Sequence, residues 1–165
     1  MVVKIDKKHL QEILYKACDY LGIRGDEVKN YVSEIEKRIK ERSIISIGRE
    51  GRYVVVVGDT PIAYFINGEM RVSGWISPLR GGIYLIGRKA YVKVDEEGIK
   101  PRIYSESVRM PQYVSRLQLI VQPYEDRIEI LNVGLEEIKV YKLDEWEKLK
   151  EDKKSDKYNL KRLWI

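Results

Sequence analysis

With 165 residues and a single cysteine, Cys18, the chain can bury an ordinary core but can form neither an internal disulfide nor a cysteine-based zinc site. Charged residues make up 35% of it, yet the formal net charge is only +5 and acids alternate with bases, which argues against a general polycationic nucleic-acid surface. His9 is the only histidine, and no apolar run approaches the roughly 20 residues of a spanning helix, so a His-dependent triad and a helical membrane protein are both disfavoured.

Residues 1–43 read as a helical hairpin. Leu10, Ile13, Leu14, Ala17 and Leu21 recur at helical spacing and make one apolar stripe, which stops at Gly22. After Gly25, Asp26 can cap a second helix with the stripe Val28, Tyr31, Val32, Ile35 and Ile39. Two helices so close in sequence should pack against each other. Cys18 lies beside the first stripe, where a small packed residue is expected rather than a reactive thiol. Met1 to Asp6 lead directly into the charged first helix with no signal peptide, so a cytoplasmic location is expected.

From Ser43 the period changes. Ile44 to Ile47, Tyr53 to Val57 and Ile62 to Ile66 are β-branched or aromatic runs separated by glycine-rich turns. Asn67-Gly68 is a hairpin signal leading into Met70 to Trp75. Further strands are expected at Ile83 to Ile86, Ala90 to Val94, Ile103 to Val108, Val114 to Val121, Arg127 to Leu131 and Ile138 to Leu143. Many short strands with polar turns, and no alternation with helices, predict a mainly β protein: an antiparallel β-sandwich over residues 44–143, preceded by the hairpin. Residues 144–165 form a charged tail with an apolar tip, Leu160, Leu163, Trp164 and Ile165, expected to dock on the body.

Two short phrases carry chemistry. Ile86-Gly87-Arg88 ends one strand-like run, and Val114-Ser115-Arg116 opens another; a later strand, Arg127 to Leu131, precedes Asn132 and Gly134. A guanidinium fork and a hydroxyl can together hold a phosphate through charge-assisted hydrogen bonds. This order resembles the forkhead-associated (FHA) domain, a β-sandwich that binds phosphothreonine peptides, over about Glu69 to Leu143. The resemblance implies that Arg88 and Ser115 contact the phosphate, that Arg116 follows as a second cation, that Asn132 reaches the peptide, and that Gly87 permits a tight turn. Gln118 stands where the family has a buttressing histidine, and Asn132-Val133-Gly134-Leu135 replaces its Asn-Gly-Thr loop. The stretch between Arg88 and Ser115 leaves room for an inserted hairpin. The family's last strands lack a counterpart after Leu143, so the Ile44 to Ile66 region must complete the sandwich.

The expected function is therefore a non-enzymatic module that binds a phosphorylated protein or peptide, with no cofactor. One alternative is a nucleic-acid-binding protein using Lys89, Lys93, Lys100, Arg102 and Arg109 with Tyr91 and Tyr104 as stacking surface. Another is a structural or assembly protein that keeps the sandwich without phosphate binding, forming a homo-oligomer through the N-terminal helices and the Trp164 tip. An enzyme is disfavoured by the lack of a phosphate-cradling loop, a metal-ligand cluster or a nucleophile next to a base. Abundant Lys and Glu with few His, Gln and Asn resemble proteins of hot-living archaea or their viruses.

Overall fold

The computed structural model describes residues 7–152. Two helices, α1 (Lys7–Ala17) and α2 (Glu27–Glu41), precede eleven strands. These are β1 (Ile45–Gly48), β2 (Arg52–Val57), β3 (Thr60–Ile66), β4 (Glu69–Val72), β5 (Trp75–Pro78), β6 (Ile83–Ile86), β7 (Ala90–Asp95), β8 (Gly98–Ile103), β9 (Leu119–Pro123), β10 (Arg127–Asn132) and β11 (Ile138–Lys142). A helix over residues 143–152, α3, follows. The strands form two antiparallel sheets, a six-stranded one in the order β1-β10-β9-β6-β7-β8 and a five-stranded one in the order β11-β2-β3-β4-β5.

Alternation along the strands sorts the apolar residues into three layers. Tyr84, Ile86, Leu119, Val121 and Ile130 of the larger sheet meet Val55, Val57, Phe65 and Met70 of the smaller one to form the sandwich core. On the opposite face of the larger sheet, Ile83, Leu85, Val92 and Ile120 pack against Leu10, Ile13, Leu14, Val32 and Ile35 of the helices. The outer face of the smaller sheet buries Val54 and Val56 under Leu143 and Trp146 of α3. β2 and β6 are therefore covered on both sides, which is why their sequences, Val54 to Val57 and Ile83 to Ile86, are unbroken apolar runs rather than alternating ones.

The helical stripes predicted from the sequence both face this second core. Cys18 joins it, and burial pushes its thiol up to about 11, which keeps it protonated and unreactive at neutral pH. Asp26 occupies the N-cap position of α2, but its side chain makes no capping hydrogen bond and its backbone is already helical. The β1 to β3 strands do complete the sandwich: β1 pairs with β10, and β2 and β3 lie between β11 and β4.

Three strand predictions need correction. Met70 to Trp75 is not one strand, because Ser73 and Gly74 adopt positive φ (46° and 88°) and fold it into the β4–β5 hairpin, beside the Asn67-Gly68 turn that was expected. Ile103 to Val108 is not a strand; β8 lies before it, with Pro101 tolerated because β8 is a sheet edge, and Glu106–Val108 is a single 3₁₀ turn. A hairpin, β7–β8, lies between Arg88 and Ser115. The strand expected at Val114 begins only at Leu119, so Ser115 and Arg116 sit in an irregular loop. The apolar tip at Leu160 to Ile165 lies outside the described residues.

Leu85 is fully buried between sheet and helices, whereas Leu135 is 76% exposed. Leu85→Ala should lower the unfolding free energy by about 2–5 kcal/mol and Leu135→Ala by less than about 0.5 kcal/mol, as read from urea denaturation midpoints. Comparable losses at the two positions would contradict the helix-to-sheet packing.

Candidate functional site

Three connections of the larger sheet meet at one end: the β6–β7 turn with Gly87 and Arg88, the loop before β9 with Ser115 and Arg116, and the β10–β11 loop beginning at Asn132. Gly87 is not in the left-handed region, so the turn does not require glycine for its φ. It requires glycine for space, since a Cβ there would lie 1.7 Å from the Arg116 carbonyl oxygen. The two loops are further tied by the Arg88 N–H, which donates to the Ser115 carbonyl at 3.1 Å, and by the Gln118 N–H, which donates to Ile86 O at 2.8 Å.

Gln118 organises the rest. Its side chain is fully buried. Its Oε1 accepts from the Ser115 N–H at 2.8 Å, while its Nε2 donates to Asn132 Oδ1 at 2.8 Å and to the Glu136 carbonyl at 3.1 Å. Asn132 Oδ1 also accepts from the Gly134 N–H at 3.0 Å, and its Nδ2 donates to Glu136 O at 2.9 Å. Gly134 leaves room for this network, because a Cβ there would lie 2.2 Å from Gln118 Nε2. A buried amide with three satisfied bonds holds loops in place; leaving one of those groups unpaired would cost about 1–3 kcal/mol.

Arg88, Ser115 and Arg116 line one cleft of about 480 Å³, closed on its other sides by Glu27, Tyr31, Glu34 and Arg38 of α2 and by Leu135 and Glu136. Arg88 Nη1 donates to the carbonyls of Gln112 (2.7 Å) and Val114 (3.1 Å); its Nε and Nη2 make no hydrogen bond among the described residues. Ser115 Oγ accepts from the Leu135 N–H at 2.9 Å, which leaves the hydroxyl proton to donate elsewhere. Arg116 is differently placed. It grips Glu27 in a two-pronged pair, Nη1–Oε1 2.6 Å and Nη2–Oε2 2.9 Å, donates to Gly22 O and stacks over Tyr31 at 5.1 Å. Asn132 folds back on its own loop and spends its amide there.

The four residues expected at the site are thus brought together in two roles. Arg88 and Ser115 present donors to the cleft. Arg116 and Asn132 brace it: α2 offers Arg116 a carboxylate, and the loop offers Asn132 a carbonyl. Sequence reasoning missed the contribution of α2, whose Arg38, with Arg42 at its C-cap, also donates to the carbonyls of Val133, Asn132 and Gly134. Nothing local marks these contacts, which span 90 or more residues for Arg38 and Arg42. Tyr91 and Tyr104, weighed as stacking surface for nucleic acid, are each 2% exposed and face the sandwich core. The helical stripes weighed as oligomer contacts are turned onto the sheet.

Among the described residues no cluster of His, Cys, Asp and Glu could hold a metal ion, and no helix is long and apolar enough to cross a membrane. Comparison with protein-family models, curated proteins and solved structures finds no match.

The guanidinium of Arg116 hydrogen-bonds the Glu27 carboxylate and holds its pKa below the usual value. A carboxylate whose pKa is lowered by folding stabilises the fold above its unfolded pKa, and that contribution is lost as pH falls through the lowered, folded value. The stability difference between the parent protein and Glu27→Gln should therefore be present at neutral pH and vanish in acid below the ordinary carboxylate range. Denaturant titrations across pH check this; a difference that persists unchanged into acid would contradict the pair.

Proposed function

We propose that the protein is a non-enzymatic, FHA-like binding module that recognises a phosphothreonine-containing partner through the cleft of Arg88 and Ser115. The convergence of these two side chains on one cleft carries the reading. Each has uncommitted donor capacity after its structural bonds are counted: Nε and Nη2 of Arg88, and the hydroxyl proton of Ser115. A phosphate monoester is held by donors of this kind, each hydrogen bond to a charged group contributing roughly 1.5–3 kcal/mol. The strand order adds support, since β1 to β3 fill the places left by the family's missing last strands. On this reading the chain is a rearranged sandwich in which those strands precede the recognition loops.

The same cleft sets the strength of recognition. Three guanidiniums, of Arg38, Arg88 and Arg116, face three carboxylates, of Glu27, Glu34 and Glu136, so no net field draws in a dianion. Arg116 contributes little to the phosphate while Glu27 neutralises it. Binding then rests on Arg88 and Ser115 and is weaker than a four-donor site would give.

Isothermal titration of matched phosphothreonine and unphosphorylated peptides tests the proposal. The phosphorylated form should bind at least about tenfold tighter, and Arg88→Ala should remove that margin, since tenfold corresponds to only about 1.4 kcal/mol. Glu136→Gln should act in the opposite direction and strengthen phosphopeptide binding several-fold by removing a repelling carboxylate. A gain of affinity cannot come from a damaged fold. Equal affinity for both peptides, or no response to either substitution, would refute phosphate recognition here.

A further inference from the structure

The inner faces of a sandwich are ordinarily apolar throughout, and this one is not. The pairing of β6, β7 and β8 puts Tyr84, Lys93 and Lys100 in one cross-strand row, and Ile86, Tyr91 and Arg102 in the next. Tyr84, Ile86 and Tyr91 belong to the core. Lys93, Lys100 and Arg102 continue the same face outward, where the larger sheet ends at β8. Across the gap, β5 is the edge of the smaller sheet, and pairing with Met70 and Val72 of the core turns Ser77 and Trp75 inward. The two lips touch: Arg102 lies over the Trp75 ring at 5.1 Å, and the Ser77 and Tyr91 hydroxyls share a hydrogen bond.

The result is a cleft of about 340 Å³ at the open edge of the sandwich, lined by Trp75, Ser77, Arg80, Lys93, Lys100 and Arg102 among others, with no carboxylate in its lining. It shares no lining residue with the Arg88 cleft. Asp95 and Glu97 in the β7–β8 turn balance the two lysines, at 3.7 Å for Lys93 and at 3.3 and 2.6 Å for Lys100. Arg80 and Arg102 form no ion pair among the described residues. Lys93, Lys100 and Arg102 thus hold positions that continue the core face, Arg102 of the three without an ion pair, which departs from the apolar pattern expected of an inward sandwich face.

We infer that this cationic edge cleft docks an acidic peptide segment in extended conformation. Three observations select that occupant. Both lips are sheet edges, β5 and β8, whose outward main-chain groups have no neighbouring strand among the described residues and can pair with an added one. The lining is complementary in charge to Asp and Glu side chains. Trp75 is 40% exposed with Arg102 over its ring, so it offers an apolar wall to an aliphatic side chain more readily than an open face to a nucleobase. β5 has four residues, or about 13 Å of strand, room for a segment of similar length.

The test uses the full chain and three labelled probes read by fluorescence anisotropy: an acidic peptide alternating Glu or Asp with Val, its Gln/Asn counterpart, and a short oligothymidylate. The acidic peptide should bind at least about tenfold tighter than the neutral one, and weaken as salt is raised. Arg102→Glu and Arg80→Glu should each reduce its affinity about tenfold, and Arg88→Ala should leave it unchanged. Arg80 is exposed and makes no side-chain hydrogen bond or ion pair among the described residues, so its reversal reads the cleft rather than the fold. Equal binding of the neutral peptide, tighter binding of the oligonucleotide, or indifference to both charge reversals would overturn the inference.

Discussion

The buried side-chain amide of Gln118 is the constraint on which the candidate site depends. It lies at the junction of three loops that belong to different strands, and it joins them by satisfying polar groups that the sheets leave unpaired: the Ser115 N–H, the Asn132 side chain and the Glu136 carbonyl. In a low-dielectric interior each of those groups would carry a desolvation penalty if left alone, so the network fixes loop positions more firmly than its count of bonds suggests. Two glycines exist to make room for this convergence. Gly87 admits the Arg116 carbonyl and Gly134 admits the Gln118 amide.

The hydrophobic layers supply the frame for this polar hub. β6, buried on both faces, leads into the turn with Arg88; β9, paired with β6, follows the loop with Ser115, and β10, paired with β9, ends at Asn132. The helices cover the outer face of the same sheet, so the sheet that holds α2 also holds the loops of the candidate site. α2 then contributes directly, since Glu27 grips Arg116 while Arg38, with Arg42 at the C-cap, binds carbonyls of the β10–β11 loop. Helical hairpin and site are energetically linked through these contacts.

Much of this frame was legible from residue periodicity. The stripes of both helices, the Asn67-Gly68 turn and most strands follow from apolar spacing that tertiary packing reinforces. The failures have physical causes. Ser73 interrupts a run of strand formers but adopts positive φ beside Gly74, so one apparent strand became a hairpin. β8 contains Pro101, which a strand tolerates only where, as at this sheet edge, its missing N–H is not needed for pairing. At the site, Arg88 and Ser115 could be singled out by their short phrases. The bracing roles of Arg116 and Asn132 could not, because Glu27 lies 89 positions away from Arg116 and no local pattern announces such a partner. The cationic edge cleft likewise emerges only from strand register, which puts Lys93, Lys100 and Arg102 on a face that composition would assign to the core.

The central claim, that one buried amide orders the loops of the site, is tested most directly by amide hydrogen exchange in the parent protein and in Gln118→Leu. Ser115, Gly134 and Leu135 donate their N–H groups to side chains of this network, whereas Val121 belongs to a core strand. The account predicts that the three loop amides are protected in the parent and lose protection together in the variant while Val121 stays protected. Loss confined to Ser115, with Gly134 and Leu135 unaffected, would contradict it.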